Sequence, residues 1–198
     1  MSDLDPKPAD YLEDLKRRNL QGKRALIADL RRRKTEKTVA VLIDVLRDES
    51  WYLRELAVEA LAEAGEIAAP QLGDLLLGGL WYSRAAAARA LGKMGHLPSI
   101  PALVRQLDDS NQTVQGAALA SLADFVRAGR AEDVALAFVT RGPRRAEELR
   151  RLFHAVHPAA AGQLTGLMAS PGELAIKRAR AEREKKAQPP PPEPVTPE

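Results

Sequence analysis

The feature that most constrains this chain is that it resembles itself. Shifted by thirty residues, WYLRELAVEALAEAG (51–65) falls on WYSRAAAARALGKMG (81–95), and seven of the fifteen positions are identical. Trp51, Tyr52, Arg54, Ala57, Ala60, Leu61 and Gly65 meet Trp81, Tyr82, Arg84, Ala87, Ala90, Leu91 and Gly95. A further shift of thirty-one brings in QTVQGAALASLADFV (112–126), with Val114, Ala118 and Leu122 in the places of Leu53, Ala57 and Leu61. A fixed period of this length marks an array of supersecondary units, because one unit cannot bury its own apolar face while stacked neighbours bury a continuous one.

Each copy contains two apolar helical stretches joined by a short turn, as in VAVLIDVL, RDES and WYLRELAVEALAEAG, so each unit reads as a helical hairpin. In the second stretch Leu53, Ala57, Ala60, Leu61 and Ala64 recur at spacings of three and four, which places them on one stripe of a helix. Alanine dominates that stripe and lets helix axes approach closely. Composition agrees: hydrophobic residues make up 45% of the chain and aromatics only 4%, a balance that favours packed helices over sheets.

These units resemble the thirty-residue HEAT repeat of the bacterial type first associated with phycobilin lyases. The resemblance rests on Asp48, Leu53, Arg54, Ala57, Ala60, Leu61 and Gly65, the family's turn Asp followed by an apolar residue, Arg, Ala, Leu and Gly. It implies an all-α fold, a right-handed α-α superhelix of the armadillo-like class, in which the second helices of successive repeats line the concave side. It also implies a ladder in which the turn Asp and the helix Arg hydrogen-bond within and between repeats. Here Asp48 and Arg54 are both present, Arg84 faces Gly78, and Asp109 faces Gln115. The contact expected between repeats is Asp48 with Arg84.

The expected organisation is then amino-terminal capping helices at 9–37, three repeats at 38–66, 67–96 and 97–129, degenerate repeats at 130–170, and a charged helix with a proline-rich tail at 171–198. Leu12, Leu15, Leu26, Ile27 and Leu30 form the amphipathic pair of the cap. Pro143 and Pro158 suit first helical turns. The last eleven residues contain six prolines and are expected to be disordered.

Several chemistries lack residues. With no cysteine there is no disulfide, thiolate metal site or cysteine nucleophile. His154 and His157 stand three apart, a spacing that could share a metal, but no third ligand stands beside them; a helix-terminal histidine is the expectation for His157. No His-Glu dipeptide supports the di-iron chemistry of some HEAT-repeat enzymes, and the sequence contains no nucleophile elbow or phosphate loop. No catalytic residue, metal or cofactor is expected. MSDLDPKPAD is acidic, broken by proline and followed by no apolar run, so a cytoplasmic protein without a membrane span is expected.

Binding is what remains. The pairs Trp51–Tyr52 and Trp81–Tyr82 hold both tryptophans of the chain and should align along a ridge at the start of successive second helices. They fit a binding stripe, since Trp and Tyr are enriched at interface hot spots, and they also fit a seal over the turns, with the tyrosines the more exposed members. With Glu55, Glu59 and Arg89 they define an expected protein-binding surface on which the acids favour a basic partner.

The alternative is nucleic acid or another anionic surface. Residues 16–37 hold ten Lys or Arg against two acids, and Arg17, Arg24, Arg31, Arg32 and Arg33 would carry the contact. Against it stands the middle of the chain, where residues 38–129 hold seven bases and eleven acids. A third role is that of a structural subunit beside a catalytic partner. The partner's identity and the oligomeric state are not written in the sequence.

Overall fold

A computed structural model of the chain describes residues 13–15 and 17–170, with Gly172 and Ala179 beyond them. Expectations for Leu12, Lys16, the amino-terminal decapeptide, the charged helix and the proline-rich tail lie outside the described residues. From Leu20 to Met168 the described residues form ten α-helices: α1 (Leu20–Arg33), α2 (Glu36–Val45), α3 (Trp51–Ala64), α4 (Ala69–Gly78), α5 (Trp81–Met94), α6 (Ile100–Arg105), α7 (Gln112–Arg127), α8 (Ala131–Val139), α9 (Pro143–Val156) and α10 (Pro158–Met168). Among the described residues there is no strand.

Side chains set most of the helix starts. Asn19 accepts the Gly22 N–H at 2.9 Å, Ser50 the Leu53 N–H at 3.4 Å, and Asn111 the Thr113 N–H at 2.9 Å. Thr35 and Thr38 cap each other reciprocally, which starts α2 at Glu36. Pro143 and Pro158 take the first positions of α9 and α10, as their fixed φ and missing N–H predict. At the other end of α5, Gly95 takes a left-handed φ of +70°, and the His96 N–H returns to the Leu91 carbonyl at 3.3 Å.

The hairpins stack as the period requires. Helices α1, α3, α5 and α7 lie side by side in one layer; α2, α4 and α6 pair with α3, α5 and α7 as the first arms of three hairpins. The outer arms α2 and α4 touch, as do α6 and α8. At the carboxyl-terminal end α10 packs on α8 and α9 and also reaches α7, while Phe138 and Phe153 meet edge to face at 6.0 Å between α8 and α9.

Helix α5 sits in the middle of the stack and is buried well beyond a single stripe: Ser83, Ala85, Ala86, Ala87, Ala88, Ala90, Leu91 and Gly92 are all inaccessible. The reason is that α3 and α7 flank it and α4 covers a third side. Alanine and glycine make this arrangement feasible, because larger side chains would hold the helices apart. Two buried serines of the core bond across repeats. The Ser83 hydroxyl donates to the Leu46 carbonyl at 2.9 Å, and the Ser121 hydroxyl lies 2.9 Å from both the Ala88 and Ala117 carbonyls.

The tightest approach is between α5 and α7. A Cβ placed on Gly92 would stand 2.5 Å from Cβ and Oγ of Ser121 and 3.0 Å from its Cα. Gly92→Ala is therefore expected to destabilise the fold by about 1–3 kcal/mol through overpacking, read as a lower thermal midpoint by circular dichroism. Adding Ser121→Gly should recover part of the loss, and a Gly92→Ala variant as stable as the parent would contradict the stated packing.

Candidate protein-interaction ridge

The ridge is assembled by the first turns of α3 and α5. Ser50 starts α3 at Trp51, and the extended Leu80 starts α5 at Trp81, so each aromatic pair occupies the opening residues of its helix. Within each pair the rings meet near edge to face, with centroids 6.3 Å apart for Trp51 and Tyr52 and 5.5 Å for Trp81 and Tyr82.

Exposure within the pairs runs opposite to the sequence expectation. Trp51 is 63% accessible and Trp81 45%, against 37% for Tyr52 and a half-buried Tyr82. The tyrosines are the members held between repeats. The Arg24 guanidinium lies 5.3 Å from the Tyr52 ring centroid and that of Arg54 lies 4.8 Å from the Tyr82 centroid, while the Tyr82 hydroxyl reaches the Arg47 carbonyl at 3.4 Å. An arginine from one second helix thus covers a tyrosine of the next, and the indoles point away. Beside Trp81, Leu77 and Leu80 are also exposed, at 62% and 59%. Sequence reasoning passed over these two, although the run LLLGGL carries the signal: apolar residues either side of a turn cannot all face the core.

Between repeats the ladder runs in the opposite direction from the one expected. Arg84 does not meet Asp48. Its Nε and one terminal nitrogen each donate to the Asp109 carboxylate at 2.8 Å, and its other terminal nitrogen donates to the Gly79 carbonyl at 2.7 Å. Asp48 instead receives Lys23 at 3.1 Å. Side chains in the first turn of a helix lean toward its amino terminus and so toward the turns; Lys23 and Arg84 each take the turn of the following repeat, twenty-five residues on, and not the preceding one. Arg54, the third member of the expected ladder, donates to the Asp48 and Glu49 carbonyls at 2.6 and 2.9 Å.

The acids placed on the binding surface are also committed. Glu55 pairs with Arg89, Glu59 with Lys93 at 2.8 Å, and Glu63 with Arg31 at 2.7 Å. Glu55, Glu59 and Glu63 stand four apart on α3, so this helix presents a carboxylate row clasped from α1 and α5. The hydrogen bond from Arg31 holds the Glu63 carboxyl below its ordinary range, and the one to Glu59 raises the Lys93 ammonium. A net acidic face inviting a basic partner therefore does not follow from these residues.

The basic alternative set meets a similar fate. Arg17 pairs with Glu13, Arg32 and Arg33 with Asp29, and Arg31 with Glu63, while Arg24 lies over Tyr52. Spacing had grouped these cations on one face without showing that acids one turn away, or one repeat away, would take them. His157 forms the end of α9 and tilts against the Phe153 ring at 5.7 Å, whereas His154 is exposed. Among the described residues no three His, Cys, Asp or Glu side chains gather as a metal site would require, and no helix is long and apolar enough to cross a membrane.

Residues 70–156 match a family model described as HEAT repeats, and the stacked hairpins of this part of the chain carry that architecture. A comparison with curated proteins returns no match. Proteins of this family are generally non-enzymatic and commonly act as scaffolds for protein interaction.

The Arg84–Asp109 rung gives a pH-dependent test. The hydrogen bonds from Arg84 hold the Asp109 carboxyl below its ordinary value, with the Asn111 N–H assisting against partial burial. A depressed folded-state value means the contribution is present above the unfolded Asp value of about 4 and is lost as the pH falls through the folded one. Asp109→Asn should cost about 1–3 kcal/mol near neutrality, and the gap between the thermal midpoints of parent and variant should narrow below about pH 4. A gap independent of pH would show that the charge of this carboxylate contributes nothing.

Proposed function

We propose that the chain is a non-enzymatic adaptor that binds another protein through the ridge headed by Trp51 and Trp81. One observation carries the reading: both tryptophans occupy equivalent positions of adjacent repeats, and both are exposed while their tyrosine neighbours are braced. Exposed indoles together with exposed Leu77 and Leu80 supply apolar surface of the kind that interfaces cover. The stacked helices behind this surface keep it rigid, so little conformational entropy is lost on binding. Glu55, Glu59 and Arg89 flank it as a fixed polar network, and Tyr52 and Tyr82 hold the indoles in place. A cytoplasmic setting belongs to the same reading.

The experiment is a pull-down from native lysate at low and high salt, comparing the parent with a Trp51→Ala, Trp81→Ala double variant. Both side chains are exposed, so the variant should keep its helical content and lose no more than about 0.5 kcal/mol of stability per site. Capture of a protein at both salts and a loss of about tenfold or more in the folded variant is the expected result. Recovery of nucleic acid alone, only at low salt and unaffected by the variant, would end the adaptor reading and return attention to Arg17, Arg24 and Arg31.

A further inference from the structure

Asp48, Gly78 and Asp109 occupy the same turn of three successive repeats. In the outer two the carboxylate has a double role. It accepts the backbone N–H two residues on, from Ser50 at 2.9 Å and Asn111 at 2.8 Å, and it receives a cation from the preceding second helix, Lys23 or Arg84. At the middle turn Gly78 supplies no side chain, so the counterpart donors, the Leu80 N–H and the Arg54 guanidinium, receive no carboxylate from it.

Arg54 is otherwise arranged like Arg84. Both use one terminal nitrogen on turn carbonyls, Asp48 and Glu49 for Arg54 and Gly79 for Arg84. Arg84 then turns its Nε and remaining terminal nitrogen to Asp109, whereas Arg54 makes no ion pair among the described residues and lies over Tyr82. The space for the absent group is open, since a Cβ placed on Gly78 has no heavy atom within 4 Å. An open cleft of about 490 Å³ passes Gly78, Gly79 and Leu80; it is also lined by Arg47, which pairs with Asp44, and by Asp74.

We propose that this middle turn is a notch for a carboxylate supplied by a protein partner, an Asp or Glu side chain that completes the rung the chain leaves out. The proposal rests on the ridge reading and deepens it. The flanking rungs show which group the geometry accepts: a short carboxylate, held by a guanidinium edge and one backbone N–H. Exposed Leu77, Leu80 and Trp81 surround the turn, so the partner segment should set its acid beside apolar residues. Charge agrees, because Arg54 makes no ion pair among the described residues, whereas Lys23 and Arg84 each pair with the acid of the following turn.

The chain contains its own probe. A blocked peptide of residues 107–111, LDDSN, carries the Asp109 carboxylate, and its control has Asn in place of Asp109. Each is titrated into the full chain while the emission of Trp51 and Trp81, the only tryptophans, is followed. The expected result is a saturable change with the Asp peptide, at least tenfold weaker with the Asn peptide, and absent in both Arg54→Gln and Gly78→Asp. Because Gly78 lies outside the left-handed region, Gly78→Asp should fold, and by restoring the rung it should raise the thermal midpoint by about 2–4 °C. Its failure to bind would then mean a filled notch and not a lost structure.

Equal titration by the Asn peptide, or undiminished binding to Gly78→Asp, overturns the proposal. So does a response to inorganic phosphate matching that of the Asp peptide and vanishing with salt, which would assign the turn to phosphate. The ridge reading falls separately: it fails when the double tryptophan variant keeps its captured protein, whatever the peptide does.

Discussion

Everything in this fold depends on how near α5 can come to its neighbours. Gly92 and Ser121 leave no room for a further methyl group between α5 and α7, and the buried face of α5 is otherwise made of alanines, one leucine and Ser83. Such side chains contribute little transfer energy each. Their value lies in the many close contacts they allow along a helix, where a layer of larger residues would trade contact density for volume. In a stack held by nearest neighbours, a weakness at this junction would divide the array into two halves, each with an uncovered apolar face.

Polar contacts act on that packed stack as register marks. The Ser83 hydroxyl on Leu46 and the Ser121 hydroxyl on Ala88 lie inside the core. The pairs Lys23–Asp48 and Arg84–Asp109 lie at the turns, and Glu55, Glu59 and Glu63 are held by cations of the adjacent helices on the surface of the layer. The surface pairs carry little stability individually. Two of the pairs, Lys23–Asp48 and Arg31–Glu63, set cations of the basic amino-terminal block against acids of the first repeat.

The fold was legible because a solenoid writes its architecture in one dimension. The thirty-residue period, the alanine stripe, and the prolines at 143 and 158 each reflect a local rule, and local rules survive without knowledge of the tertiary structure. The direction of the ladder was not legible. Asp48, Gly78 and Asp109 could be aligned, yet whether Arg84 reaches back to Asp48 or forward to Asp109 depends on the lean of a side chain relative to the stacking direction, which periodicity does not encode. The same holds for the aromatic pairs. Neighbouring residues on a helix point about 100° apart, so one of Trp81 and Tyr82 had to turn outward, but which one is fixed by where Arg54 and the Arg47 carbonyl happen to lie. The two exposed leucines were hidden for a related reason: Leu77 and Leu80 look like core until Leu75 and Leu76 are seen to fill it.

Because the core repeats, the departures from repetition are what distinguish one solenoid from another. A position such as the turn Asp can be lost at Gly78 only because packing on either side holds α3 against α5 without it. The interior thereby releases the rim from structural duty, and rim side chains can answer to something outside the molecule. In this chain the released positions cluster: the turn without its acid, the arginine without an ion pair among the described residues, and the outward indole belong to one junction, between the first and second repeats. An array whose core were less tightly matched could not leave so many donors and so much apolar surface uncommitted at a single seam.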